Sequence, residues 1–172
     1  MGESAPATSA DSRSGPLTPT FDLRTQSEPN DYYLIFAGRG GGEVGHAFVV
    51  WVTYDRNRRF VSQEARGMHP DAQRAYWRLA VGVPGGLQDD ARENRGLARR
   101  IVVRVNKHAY DRTLRVRGQW QRGTYRLVSR DCVSFVADVA RASGLTAPAR
   151  TASNSLPVDY LNALWAENRW RR

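Results

Sequence analysis

The sequence predicts an α+β fold, and three observations carry that prediction. Strand-like runs come first and helix-periodic runs come last. One pair of runs reads as a hairpin, and one late run shows a clear helical period with matching stop signals. Order is expected from Asp31, because residues 1–30 are rich in Ala, Ser, Thr and Pro without apolar periodicity. They read as a disordered or loosely docked arm before a single domain over 31–172. Tyr32-Tyr33-Leu34-Ile35-Phe36 is the first strand, and Gly38 with Gly40 to Gly42 ends it. His46 to Tyr54 is apolar on both faces, which predicts a strand inside a sheet. Asp55 to Arg58 is a polar turn, and Arg59 to Ala65 returns as the second arm of the hairpin.

Residues 69–80 fit a short helix, and residues 82–99 read as a Gly-rich, charged loop. Ile101 to Val105 is another strand. Lys107 to Trp120 reads as a helix with Tyr110, Leu114 and Arg117 on one face, and Thr124 to Val128 as a short strand. Residues 130–143 form the clearest helix: Cys132, Phe135, Val136 and Val139 recur at helical spacing. Gly144 ends it and Pro148 follows. A last helix over 157–168 starts with Pro157 at a permitted first-turn position and carries Tyr160, Leu161, Leu164 and Trp165 as its apolar stripe.

Composition narrows the function classes. The 172 residues can bury a core without covalent staples. One cysteine excludes an intramolecular disulfide and any Cys-rich zinc site. No apolar run approaches the ~20 residues a membrane helix needs. The start lacks the basic and apolar segments of a secretory signal, so the expected location is the cytoplasm, or outside it by a signal-independent route. Four acidic and two basic side chains leave residues 1–30 at −2, so with +9 overall residues 31–172 carry +11. Nearly all of that charge is arginine; Lys107 is the only lysine. Such a surface suits an anionic polymer, a lipid surface or nucleic acid, or reflects arginine usage on a solvated face.

Gly40-Gly41-Gly42-Glu43-Val44-Gly45 matches G-x-G-x-x-G. A strand follows it where the dinucleotide motif needs a helix, so the glycines read as a hairpin connection. Cys132 is more informative, because it falls in the first turn of a helix that Ser129 or Asp131 can cap. Free backbone N–H groups there offer an oxyanion hole. A thiol near pKa ~8.5 needs roughly 3.4 kcal/mol to reach ~6. A helix N-terminus supplies up to about 2 kcal/mol, so a cationic neighbour is expected. Among the three histidines, His69 precedes Pro70 in a turn and His108 neighbours Lys107. His46 opens a strand that would fix its ring, and is the best proton acceptor. In a tight hairpin around Arg56-Asn57, residue 50 faces residue 63, which puts Gln63 on the face of His46. One further loop residue would bring Glu64 there instead.

Gly45-His46-Ala47-Phe48-Val49 followed by Asp131-Cys132-Val133-Ser134-Phe135-Val136, then Gly144-Leu145 and Pro148, resembles the NlpC-type papain-like cysteine peptidase and acyltransferase superfamily. The order His before Cys is similar to its circularly permuted branch, with lecithin retinol acyltransferase-like proteins. The resemblance implies a permuted papain-like fold with an antiparallel sheet packed on the Cys-bearing helix. It implies Cys132 as nucleophile, His46 as general base and a polar third residue, Gln63 or Glu64, on the next strand. The expected activity is a cysteine peptidase or amidase that works through a thioester, with no cofactor and no metal. The resemblance implies peptides, peptidoglycan stem peptides or lipid acyl groups as substrates, and a wall substrate would fit a bacterial effector delivered by a secretion machine. The alternatives are a thiol acyltransferase, and a basic binding module for nucleic acid or an anionic surface with an inert cysteine.

Overall fold

The computed structural model describes residues 15–41, 45–71, 76–91 and 96–171. Among these, seven strands form one sheet in the order β1-β6-β2-β3-β4-β5-β7. The strands are β1 (Phe21–Asp22), β2 (Asp31–Arg39), β3 (His46–Tyr54), β4 (Phe60–Pro70), β5 (Val83–Asp89), β6 (Arg99–Val105) and β7 (Arg122–Tyr125). The helices are α1 (Tyr76–Val81), α2 (Lys107–Gln119), α3 (Cys132–Ser143) and α4 (Pro157–Asn168). The fold class is α+β, as the order of runs predicts. Neighbouring strands are antiparallel except β1, which runs parallel to β6.

Strand alternation sorts the core into two faces. Leu34, Phe36, Ala47, Val49, Trp51, Ile101 and Val103 pack toward the helices with Phe135, Val136, Leu161 and Leu164. Tyr33, Ile35, Phe48, Val50, Val52, Ala65 and Val102 form a second cluster on the opposite face, with Leu17. The two-sided burial of β3 explains its continuous apolar run. The helices are anchored by polar contacts as well. Trp51 Nε1–H donates to Thr113 Oγ1 at 2.9 Å, tying β3 to α2. Trp120 and Trp51 both pack against Phe135 of α3, with centroids at 5.6 and 6.3 Å.

Several boundaries differ from the sequence expectation, each for a physical reason. The segment expected as a loop over 82–99 contributes β5. Its Gly-Gly pair has poor strand propensity, but β4 offers a free ladder edge, and Arg66 to Pro70 pair with Asp89 to Gly85. The helix expected over 69–80 contracts to Tyr76–Val81, since His69 and Pro70 complete β4. The hairpin register also differs. Val50 faces Ala65, and Gln63 faces Val52. The turn is longer than a tight one: Asp55 Oδ1 accepts from the N–H groups of Asn57 and Arg59 at 2.8 and 2.9 Å. Arg58 takes the left-handed conformation at φ 59°, and the register shifts between Thr53 and Tyr54. The described part of the N-terminal arm is docked: Leu17 and Phe21 are buried, and Thr20 and Leu23 donate backbone hydrogen bonds to β6. The first part of that arm, and Gly42 to Val44 of the glycine run, lie outside the described residues.

Candidate active site

The site forms where the seam between β3 and β4 ends. Their ladder reaches Val49 opposite Arg66. Past that pair the backbone N–H of Ala47 lies close enough to the sulfur of Cys132 to favour its ionised form. The thiol therefore sits beside β3, next to the backbone of His46. It arrives from the helix side, at the first residue of α3.

The start of α3 is built by Asp131. Its backbone is extended, and its Oδ1 accepts from Ser134 N–H at 3.0 Å, an N-cap bond. Its Oδ2 accepts from Val128 N–H at 2.7 Å. Arg150 donates through Nη1 to both carboxylate oxygens at 2.8 Å and to the Val128 carbonyl at 2.9 Å. Nη2 of the same guanidinium donates to the Ser155 carbonyl at 2.6 Å. This clamp holds Val128 at φ 72°, a conformation that a β-branched residue rarely adopts. Val128 is 64% exposed, so its side chain stands at the rim of the site. A cavity of about 70 Å³ opens there, lined by Tyr125, Leu127, Val128, Cys132, Leu156 and Pro157. A polar groove of about 220 Å³ shares Val128 and Arg150 with it and runs past Ser129, Ser134 and Asp138.

Cys132 is a neutral thiol in this setting. Burial pushes its pKa up to about 12, and the Asp131 carboxylate adds to the rise. The backbone N–H groups of Ala47 and Val133, and the charge of Arg150, act against that rise without cancelling it. The expectation of a thiol lowered by the helix start is corrected on this point. The cap that builds the helix is itself an anion beside the sulfur, and Arg150 is shared with it.

His46 lies on the other side of the seam, stacked on Phe48 with centroids 5.9 Å apart. Its Nε2 is 3.1 Å from Asp90 Oδ2. His69 Nε2 is 2.9 Å from Asp90 Oδ1, and the two imidazole centroids are 4.2 Å apart. Burial lowers the pKa of His46 against the opposing effect of its hydrogen bond to Asp90, so the ring is neutral near neutral pH. Burial raises that of Asp90, but the hydrogen bonds from His46 and His69 outweigh it and hold the carboxyl at about 2. Gly67 of β4 is the floor of the cluster. A Cβ there would lie 2.6 Å from His46 Nε2 and closer still to Asp90 Oδ2.

Cys132 and His46 thus approach the same strand end from opposite faces of the sheet, and the partners of the His46 ring are Asp90, His69 and Phe48 rather than the thiol. Neither candidate for the orienting residue meets the ring. Gln63 pairs with Val52, and Glu64 bonds to Arg66 Nε at 2.8 Å and to Arg117. Asp90 and His69 hold His46 instead. Sequence reasoning misses both. His69 becomes legible once Val50 is set opposite Ala65, since the same register carried to the strand end brings 69 beside 46. Asp90 has no local signal, because it follows a Gly-rich strand and reaches the site through its backbone bond to Ala65. His108 is exposed at the start of α2.

No family model, curated protein or solved structure matches this chain. No helix among the described residues is long and apolar enough to cross a membrane.

Proposed function

We propose that this protein is a thiol-dependent hydrolase of permuted papain-like fold that cleaves an amide bond in a peptide or peptidoglycan stem peptide. The observation that supports it is a shared strand end: Cys132, in the first turn of α3, lies close to the backbone of Ala47, and the imidazole of the preceding residue, His46, is held by Asp90 on the other face. An Nε2–H donated to the carboxylate leaves the lone pair on Nδ1, where the ring can accept a proton.

The resting pair is neutral, so deprotonation accompanies attack. The substrate acyl group enters beside Val128 and Leu156. The Cys132 sulfur forms a bond to the amide carbon while its proton passes to His46 by way of a water at the strand end, because thiol and imidazole lie on opposite faces of the sheet. As the C–S bond forms, the carbonyl π pair moves onto its oxygen, and free backbone N–H groups of the first turn of α3 stabilise that oxyanion. His46, now cationic against Asp90, returns the proton to the leaving amine as the C–N bond breaks. Water then attacks the thioester, giving its proton to His46, which returns it to the sulfur as the C–S bond breaks and the acid is released. The +11 of residues 31–172 favours an anionic polymer as the carrier of that amide.

A rival reading has its own support. A thiol pushed to about 12 by burial also suits an inert core cysteine in a basic binding module for nucleic acid or an anionic surface. Digestion of purified peptidoglycan, followed by mass spectrometry of the released stem peptides, separates the two. The hydrolase releases new amine termini in a reaction abolished by Cys132→Ala and by His46→Ala. The module releases nothing, and binds nucleic acid equally well with Cys132→Ala, with steep salt dependence.

A further inference from the structure

We propose that His46, His69 and Asp90 form a binding site for a divalent transition-metal ion of the Zn²⁺ class. One ligand atom from each lies within 4.8 Å of the others. The two nitrogen-to-carboxylate separations are 3.1 and 2.9 Å. Donors around a tetrahedral ion at ~2.0–2.1 Å stand roughly 3.3 Å apart, so small adjustments admit the ion. Two imidazoles and one carboxylate select zinc-like ions over calcium or magnesium, which prefer all-oxygen sites.

The cluster is also held ready. Gly67 leaves room beneath it, Phe48 supports the His46 ring, and Asp90 is almost fully enclosed. The side chains of His69 and His46 are 28% and 14% exposed, which gives an ion a path in. The charge of Arg39 reaches His46 and opposes a cation, and the Asp90 carboxylate offsets it. Coordination requires both rings to carry their proton on Nδ1, a tautomer change without net proton loss. Three protein ligands leave the fourth position to water.

The site does not rest on the thiol reading. If that reading holds, an ion on Nε2 takes the place of the Asp90 hydrogen bond and occupies Nδ1 with a proton, so it inhibits. Calorimetric titration of the full chain with Zn²⁺, with Co²⁺ absorption as a second probe, tests the site. One equivalent is expected to bind. Asp90→Asn and His69→Ala should each weaken binding about tenfold or more, and Cys132→Ser should leave it unchanged. Imidazole NMR of the unaltered chain guards against misfolded variants: Zn²⁺ should shift His46 and His69 and leave His108 in place. Absence of saturable binding, equal affinity in Asp90→Asn, or shifts confined to His108 would overturn the proposal. Binding without hydrolysis removes only the thiol reading, and hydrolysis without binding removes only the metal site.

Discussion

At the residue scale the proposed chemistry rests on Cys132, and its neutrality has measurable consequences. Iodoacetamide should label it more slowly than free cysteine at pH 7, with a rate that climbs through pH 10 without a plateau. Fast labelling at pH 6 would contradict the neutral pair. The same shift couples to stability. The unfolded thiol titrates near its ordinary 9.0 and the folded one near 12, so between those values the native state retains a proton the unfolded chain has lost. Stability therefore falls as pH rises from about 9, and Cys132→Ala should flatten that fall in urea denaturation at alkaline pH. Gly67→Ala should drive Asp90 and His46 apart and lower kcat/KM about 100-fold with the fold retained, by circular dichroism and steady-state kinetics. The cysteine and His46 were legible in sequence because each opens an element with strong periodicity. Their partners were not, because a two-residue difference in hairpin register decides which side chain of β4 reaches the strand end.

Among the elements, α3 depends most on its first turn. Asp131 is buried, caps the helix and is neutralised by Arg150. Arg150→Met should cost about 3–5 kcal/mol by leaving that carboxylate unpaired in a buried site. The double variant Asp131→Asn with Arg150→Met should cost less than the sum of the singles, measured by a denaturation cycle. The helix itself was readable: Asp131 as cap, apolar residues at helical spacing, and Gly144 at φ 99° as its left-handed stop. Strand β5 was not, because Val83-Pro84-Gly85-Gly86 carries no strand pattern and is ordered by the open edge of β4. Arg150 was equally hidden, since its role arises only where the chain after α3 returns to the helix start.

For the whole molecule, the slightly acidic arm is part of the fold from Gly15 onward. Phe21 is 1% exposed and joins the helix-side core, while β1 extends the sheet beside β6. Phe21→Ala should therefore destabilise the protein by about 3–5 kcal/mol in chemical denaturation, where a trailing arm would give no change. The domain that the arm completes carries the positive charge, which suits a substrate on an anionic polymer. If Cys132 attacks a carbonyl with His46 as its base, an acyl-enzyme forms and can be trapped. The protein would be mixed with stem-peptide substrate, quenched in acid and mapped by mass spectrometry. An acyl adduct is expected on Cys132, absent in Cys132→Ala and not formed in His46→Ala. Substrate turnover that persists unchanged in Cys132→Ala, with no adduct on the native chain, would contradict that attack.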